Sequence, residues 1–250
     1  MIRSYALLAR TYGPRAFLLK SINAVLVRPG RRLLFGSYSE SNEDRIVEAL
    51  LGRKKDGFYV DIGANDPKRA NNTMRFYKRG WSGIVIEPNE SCCLRFQAAR
   101  PRDIVLNIGI SQVAGRGSFF RFFPDTRSTL SKECADRLVK KGFWLVSSSE
   151  IELQPLADVL KEHAGGRTID FMSIDTEGYD KQVLLSNDWE RFRPSVICVE
   201  SGDESVTRLL SDLGYLKVAT TKDNSIYMQE ERYEQSQRHC SQLSFRKKTH

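Results

Sequence analysis

The chain has 250 residues, 40% of them hydrophobic, 28% charged and 10% aromatic. This balance suits one large domain with a sizeable core and excludes collagen, low-complexity disorder and small disulfide scaffolds. The net charge is +8, but residues 1–39 carry seven basic side chains and no acid, and residues 231–250 add +3, which leaves −2 for residues 40–230. The basic character therefore belongs to the two ends, and the near-neutral body argues against a nucleic-acid partner.

Residues 1–36 read as a basic amino-terminal helical extension. Ile2, Tyr5, Ala6, Ala9 and Tyr12 follow a helical spacing until Gly13-Pro14 breaks it. No apolar stretch reaches the roughly 20 residues of a membrane span, and Arg10, Arg15 and Lys20 interrupt every candidate signal-peptide core. A helix packed on the domain is the plain expectation. Peripheral contact of residues 1–35 with an anionic membrane, or a transit peptide, are the alternatives. Five cysteines (Cys92, Cys93, Cys134, Cys198, Cys240) form no CxxC pair and are odd in number. They point to a reducing compartment, so a cytoplasmic location is expected, with membrane association through the basic segment as its variant. The three histidines lack ligand spacing, and no metal site is expected.

The domain proper is expected over residues 37–230. Ser41-Asn42-Glu43-Asp44 predicts the cap of an amphipathic helix through Leu51. Apolar runs follow at Phe58–Gly63, Gly83–Pro88, Asp103–Asn107, Ile169–Asp175, Ser195–Glu200, Tyr215–Ala219 and Ser225–Met228. These runs are nearly continuous, not alternating, as in strands covered on both faces. Helix-length segments separate most of them. The fold class is therefore α/β, a doubly wound and mostly parallel Rossmann-like sheet. The short spacing of the last two runs predicts a hairpin, and so an antiparallel strand near the edge. Residues 115–157 are irregular, with one extra strand at Ser118–Phe123, and read as an insertion or cap. Residues 231–250 form a basic tail.

Ligands of open α/β sheets sit at the carboxyl ends of the strands. Here those ends read Asp61-Ile62-Gly63-Ala64-Asn65, Glu87-Pro88-Asn89, Asp175-Thr176-Glu177-Gly178 and Glu200-Ser201. Glu87 lies 26 residues beyond Asp61, near the spacing at which nucleotide folds set a carboxylate on the ribose hydroxyls. Gly63 would let the backbone approach a ligand. The loop continues Asp66-Pro67 and lacks the second glycine of GxGxxG, so it offers a pyrophosphate neither amides nor a neutral field. A dinucleotide, and with it an NAD-dependent oxidoreductase, is disfavoured. S-adenosylmethionine, an adenosine cofactor with no phosphate, fits better, and its sulfonium tolerates nearby carboxylates.

The segments Phe58–Asn65, Gly80–Asn89 and Ile169–Gly178, together with Ser37–Asp44 and the stretch from Asn187-Asp188-Trp189 to Arg193-Pro194, resemble the FkbM family of methyltransferases over roughly residues 37–228. The resemblance implies a class I, S-adenosylmethionine-dependent methyltransferase, typically an O-methyltransferase of sugars, glycolipids or natural products. It implies that Asp61, Gly63, Ala64 and Asn65 form the cofactor loop. It also implies that Glu87 with Pro88 holds the ribose, and that Asn107 to Gly109 lie by the adenine. Asp175 and Glu177 would face the methyl group and acceptor. Asp175 is the first choice of base and Glu177 the second. The alternative is that Asp175 binds only the cofactor amine and Glu177 caps its turn. Asn72, Thr73 and Glu200 are expected at the acceptor, a small molecule or glycan, with loop-to-helix capping as the alternative for the first two. Convergence of Asp175, Glu177 and Glu200 on Mg²⁺ is a further alternative, not the expectation. A non-catalytic scaffold and a nucleic-acid methyltransferase are the competing functions.

Overall fold

The computed structural model describes residues 36–52 and 54–236. The expected amino-terminal helix with its membrane contact, and the tail beyond residue 236, lie outside the described residues. The chain begins with a Ser37–Ser41 strap and helix α1 (Glu43–Leu51). It continues through β1 (Phe58–Ile62), α2 (Met74–Lys78), β2 (Ser82–Ile86), α3 (Glu90–Ala99) and β3 (Ile104–Leu106). A second layer follows: β4 (Gly109–Ile110), β5 (Gly115–Phe123), a 3-10 turn at Asp125–Arg127, α4 (Lys132–Lys140) and β6 (Trp144–Gln154). The chain then returns to the main sheet as α5 (Leu156–His163), β7 (Phe171–Ile174), α6 (Asp180–Leu185), β8 (Val196–Glu200), α7 (Glu204–Asp212), β9 (Tyr215–Thr220) and β10 (Asn224–Gln229).

The seven-stranded sheet has the order β3-β2-β1-β7-β8-β10-β9, and only β10 runs antiparallel to its neighbours. The chain winds outward from β1 to β3, crosses back to β7 and winds outward again. The switch point thus falls between β1 and β7, and open α/β sheets bind their ligands there, at the carboxyl ends of the strands. The alternation within each strand supplies two cores. Val60, Ile62, Ile84, Met172 and Ile197 face α5 to α7, while Tyr59, Phe171, Val196 and Cys198 face α1 and α2. Asp61 shares the second face with Tyr59, a polar residue at the open end of an apolar column.

Two details differ from the sequence expectation. The α1 cap is not a side-chain cap at Asn42, which sits at φ 69° without such a bond. The Glu43 carboxylate accepts the Ser41 N–H at 2.8 Å, and Asp44 accepts from the Ser37 and Ser39 hydroxyls and the Tyr38 N–H, tying the strap to the helix. The insertion is more regular than expected. It forms a three-stranded sheet of order β4-β6-β5, and its longest strand, β6, was not anticipated. Trp144–Gln154 carries Ser147-Ser148-Ser149 at its centre and is largely exposed, so it shows no buried apolar run. Among the described residues, no helix is long and apolar enough to cross a membrane.

Packing between β1 and β2 is close enough to forbid a side chain. A Cβ on Gly83 would stand 2.2 Å from the Tyr59 ring and 2.3 Å from the Tyr59 carbonyl oxygen. The Tyr59 hydroxyl donates to Asp103, which also accepts the Gly83 N–H at 3.0 Å, so the ring cannot swing away without breaking that bond. Gly83→Ala is expected to cost about 3 kcal/mol, a fall of about 6–12 °C in the thermal midpoint by calorimetry.

Candidate active site

The β1 loop turns at Gly63, φ +76°, whose N–H donates to Ile86 O. A Cβ there would lie 1.9 Å from the Asp175 carbonyl oxygen. The glycine is required by the protein's own β7 turn, whatever ligand the loop borders. Ala64 is buried against Val85 and Phe96. Asn65 takes φ +54°, a left-handed conformation that asparagine tolerates, and its N–H donates to Glu87 Oε2 at 2.8 Å.

Beneath this loop lies a buried polar network centred on Arg100, which has no exposed surface. Its Nε donates to Pro67 O at 2.9 Å, and Nη2 donates to Pro67 O and to Asn71 Oδ1. Nη1 donates to Thr73 Oγ1 at 2.8 Å, and the guanidinium stacks on Phe96, 4.9 Å from the ring centre. Asp61 Oδ2 accepts from Thr73 Oγ1 at 2.6 Å and from Asn71 Nδ2 at 3.0 Å. Burial raises the Asp61 pKa, opposed by those two bonds and by Arg100. Asn71 Oδ1 also accepts the backbone N–H of Thr73 and Met74, which starts α2. Thr73 is fully buried and props the loop from below, and its side chain makes no capping bond to α2. Asn72 is half-buried, with Nδ2 3.1 Å from Ser173 Oγ on β7.

The Asp66-Pro67 pair finds its use here. Asp66 Oδ1 accepts the N–H of Lys68 and of Arg69, a local turn, while Pro67 offers its carbonyl to Arg100.

Glu87 closes the β2 end, nearly buried, with Oε2 on the Asn65 N–H and Oε1 on the Asn89 N–H, each at 2.8 Å. Burial pushes its pKa up to about 7, against the pull of those two bonds. Each oxygen keeps a lone pair for a further donor. Asn89 Nδ2 beside it is buried without a partner. Asn107 Nδ2 donates to the Glu87 and Pro88 carbonyls, which fixes the turn. Gly109 opens β4 under Leu130, Ile151 and Leu153.

Across the switch point, the β7 turn carries Asp175, Thr176, Glu177 and Gly178. Asp180 Oδ1 accepts the N–H and hydroxyl of Thr176 and shapes the turn. Glu177 holds φ +51°, an uncommon region for a glutamate. Arg127, arriving from the 3-10 turn of the second layer, pairs with Glu177 at 3.1 Å, and Thr129 Oγ1 donates to Glu177 O at 2.9 Å. Asp175 is open to solvent, yet protein crowds it as it would a group on the wall of a cleft. Desolvation first, then the charges of Glu177, Asp180, Glu200 and Asp61, raise its pKa well above the carboxylate range. Glu200, at the end of β8, is pushed up to about 7 by desolvation and by Glu177 and Asp180. Asp175, Glu177 and Glu200 therefore share one field. Among the described residues no three or more His, Cys, Asp or Glu side chains come together in a way that could hold a metal ion, so the Mg²⁺ alternative finds no ligand set.

The fit to S-adenosylmethionine can be tested on these groups. Glu87 is a nearly buried acceptor pair with spare lone pairs, suited to two vicinal hydroxyls, and the surrounding field is negative, suited to a sulfonium. The residues present fit the cofactor. Arg127 and Arg100 carried no motif in the sequence. The one local signal was the Asn71-Asn72-Thr73 cluster, a polar knot just ahead of a helix.

Arg100→Met is expected to cost about 3–5 kcal/mol in urea unfolding, because it leaves Asp61 and Asp103 buried without their cation. In the combined Arg100→Met, Asp61→Asn variant the loss should be smaller than the sum of the two. Stability of the ligand-free protein should also depend on pH. Glu87 and Glu200 have folded pKa values of about 7, above the ordinary 4.5. Their contribution is complete below the ordinary value and is lost as pH rises through about 7. Thermal melts should show a shallower decline with rising pH in Glu87→Gln than in the native chain.

The family described as Methyltransferase FkbM domain matches residues 61–217. No curated protein matches the chain in sequence. Among solved structures, a TehB-like SAM-dependent methyltransferase from Corynebacterium glutamicum is 8% identical, with 84% of this chain and 99% of that chain covered and a TM-score of 0.41. The methyltransferase domain of METTL16 is 14% identical, covering 82% and 78%, with a TM-score of 0.47. The 1,6-didemethyltoxoflavin-N1-methyltransferase of Burkholderia thailandensis, with bound 1,6-didemethyltoxoflavin and S-adenosylhomocysteine, is 12% identical, covering 91% and 89%, with a TM-score of 0.41. With the family matched across most of the sheet and its switch point, this chain belongs to the FkbM methyltransferases and is a SAM-dependent methyltransferase.

Proposed function

We propose that the protein is an O-methyltransferase whose acceptor is a hydroxyl of a sugar, in a glycan, glycolipid or natural product. The observation that carries this reading is the carboxyl set Asp175, Glu177 and Glu200 beside the cofactor loop, all with raised pKa values. A polyhydroxylated acceptor brings donors that such carboxyls accept. A phosphate-bearing acceptor would meet repulsion, which weighs against nucleic acid. Four described cysteines are buried free thiols, which supports a reducing, cytoplasmic setting.

In this reading Glu87 accepts the two ribose hydroxyls, and the Gly63–Asn65 backbone borders the cofactor. When bound, S-adenosylmethionine supplies an electrophilic methyl group on a sulfonium. The chain's task is alignment of the acceptor oxygen with that methyl, where most of the barrier reduction for an in-line displacement originates. Asp175 takes the hydroxyl proton on a carboxylate oxygen as the new bond forms, its raised pKa making it a stronger base than an ordinary aspartate. Glu177, held by Arg127, positions the acceptor from the same β7 turn, and Asn72 and Glu200 contribute further polar contacts. The crowding of Asp175 by three other acids helps keep its proton affinity high.

The test is calorimetric titration followed by an acceptor screen. S-adenosylmethionine and S-adenosylhomocysteine should bind and NAD should not. Glu87→Ala should weaken both by about 10–100-fold, the worth of hydrogen bonds to a charged group. With a sugar acceptor in hand, Asp175→Asn should lower kcat by about 10²–10⁴-fold. It should also abolish the acidic limb of the pH profile, along which the native rate rises with pH as the base ionises. Binding without transfer to any hydroxyl acceptor would overturn the O-methylation reading and leave a methyltransferase of another acceptor atom.

A further inference from the structure

We infer that the tip of the second layer, from the end of α4 to the start of β6, is a docking surface for an anionic lipid membrane. Its outward side chains are Val139, Lys140, Lys141 and Trp144, with Val146 at the β6 bulge close by. Between Arg137 and Ser149 the sequence holds three cations, Arg137, Lys140 and Lys141, and no acid. Trp144 is 54% exposed, Val139 50% and Val146 39%. Val146 is the residue left unpaired where β6 bulges against β5, and it is exposed like Trp144, while Phe143 and Leu145 pack inward on the Phe122, Cys134 and Leu138 cluster. The outward apolar groups are therefore not surplus from a poorly filled core.

The three tryptophans make the contrast plain. Trp81 is buried under Gly57, and Trp189 donates its indole N–H to Leu184 O and stacks edge-on with Tyr215. Trp144 is the most exposed of the three. An exposed indole with flanking valines, bordered by lysine and arginine, matches the boundary of headgroups and acyl chains, where aromatic rings settle and cations meet anionic lipid. A second copy of the chain is a poor occupant, because a twofold contact would set Lys140 and Lys141 against their own equivalents.

The position adds to the argument. Trp144 pairs with Phe123, and β5 runs from Phe123 straight into the Asp125–Arg127 turn whose Arg127 holds Glu177. The docking tip and the acceptor wall are thus neighbouring ends of one small sheet. Docking would bring the acceptor side toward the bilayer. The inference stands apart from the basic amino-terminal segment and does not depend on which acceptor is methylated.

The test uses the full chain with phosphatidylserine-containing vesicles and pure phosphatidylcholine vesicles, each with and without brominated lipid. Expected are binding to the anionic vesicles, a blue shift and bromine quenching of tryptophan emission, and loss of both signals in Trp144→Phe. Lys140→Glu with Lys141→Glu should weaken binding about tenfold or more, while titration with S-adenosylmethionine remains unchanged. Four results would overturn the proposal: no vesicle binding, equal binding to neutral vesicles, binding without quenching of Trp144, or a blue shift that follows protein concentration in the absence of lipid. Binding without quenching would point to another segment, such as residues 1–35, and concentration dependence to self-association.

Discussion

Much of the β1–β2 side of the sheet rests on a single buried cation. A lone guanidinium in a protein interior is unfavourable by several kcal/mol, and Arg100 is tolerated because every face of it is answered. Carbonyl, amide and hydroxyl oxygens receive its N–H groups, Phe96 receives its plane, and Asp61 and Asp103 supply the opposing charge. The same groups join the loop after β1, the start of α2, the end of α3 and, through Asp103, the β1–β2 seam at Tyr59 and Gly83. Such a network adds less to stability than to uniqueness. It admits one arrangement of the loop, since displacing any member strands a charge or a buried donor.

The two sides of the switch point follow opposite electrostatic rules. On the β1–β2 side the polar groups answer one another, with Asn89 Nδ2 as the orphaned exception. That is how a binding cradle is kept in shape before its ligand arrives. On the β7–β8 side the carboxyls crowd one another and hold their protons tightly, and Arg127 is the cation that reaches them. Perturbation of this kind, concentrated at one wall of a cleft, suits proton transfer better than holding a ligand.

The strands were legible in the sequence because a sheet covered on both faces needs uninterrupted apolar residues, and Phe58–Ile62, Ile84–Ile86 and Val196–Val199 have them. The carboxylates were legible for a related reason: Asp61, Glu87 and Asp175 each end or follow such a run, and topology carries strand ends to one edge. Gly63 stood out as the glycine of the β1 loop, but the neighbour that forbids a side chain there is the Asp175 carbonyl, more than a hundred residues away. Arg100 and Arg127 could not be found because their partners are 33 and 50 residues distant and no local pattern marks them. Strand β6 was hidden by its exposure, for a strand wetted on both faces has no reason to show an apolar period.

The short parallel pairing of β4 with β6 carries a consequence of its own. Gly109 lies against Leu153 and Ile110 against Gln154, so the chain leaves and re-enters the main body at touching points. An insertion whose ends are already joined adds little closure entropy to the fold that hosts it, about 0.6 kcal/mol for each doubling of its length. The second layer can therefore be exchanged, trimmed or enlarged as a cassette, provided a side chain equivalent to Arg127 still reaches Glu177. Such an exchange would leave the loop that Arg100 holds untouched.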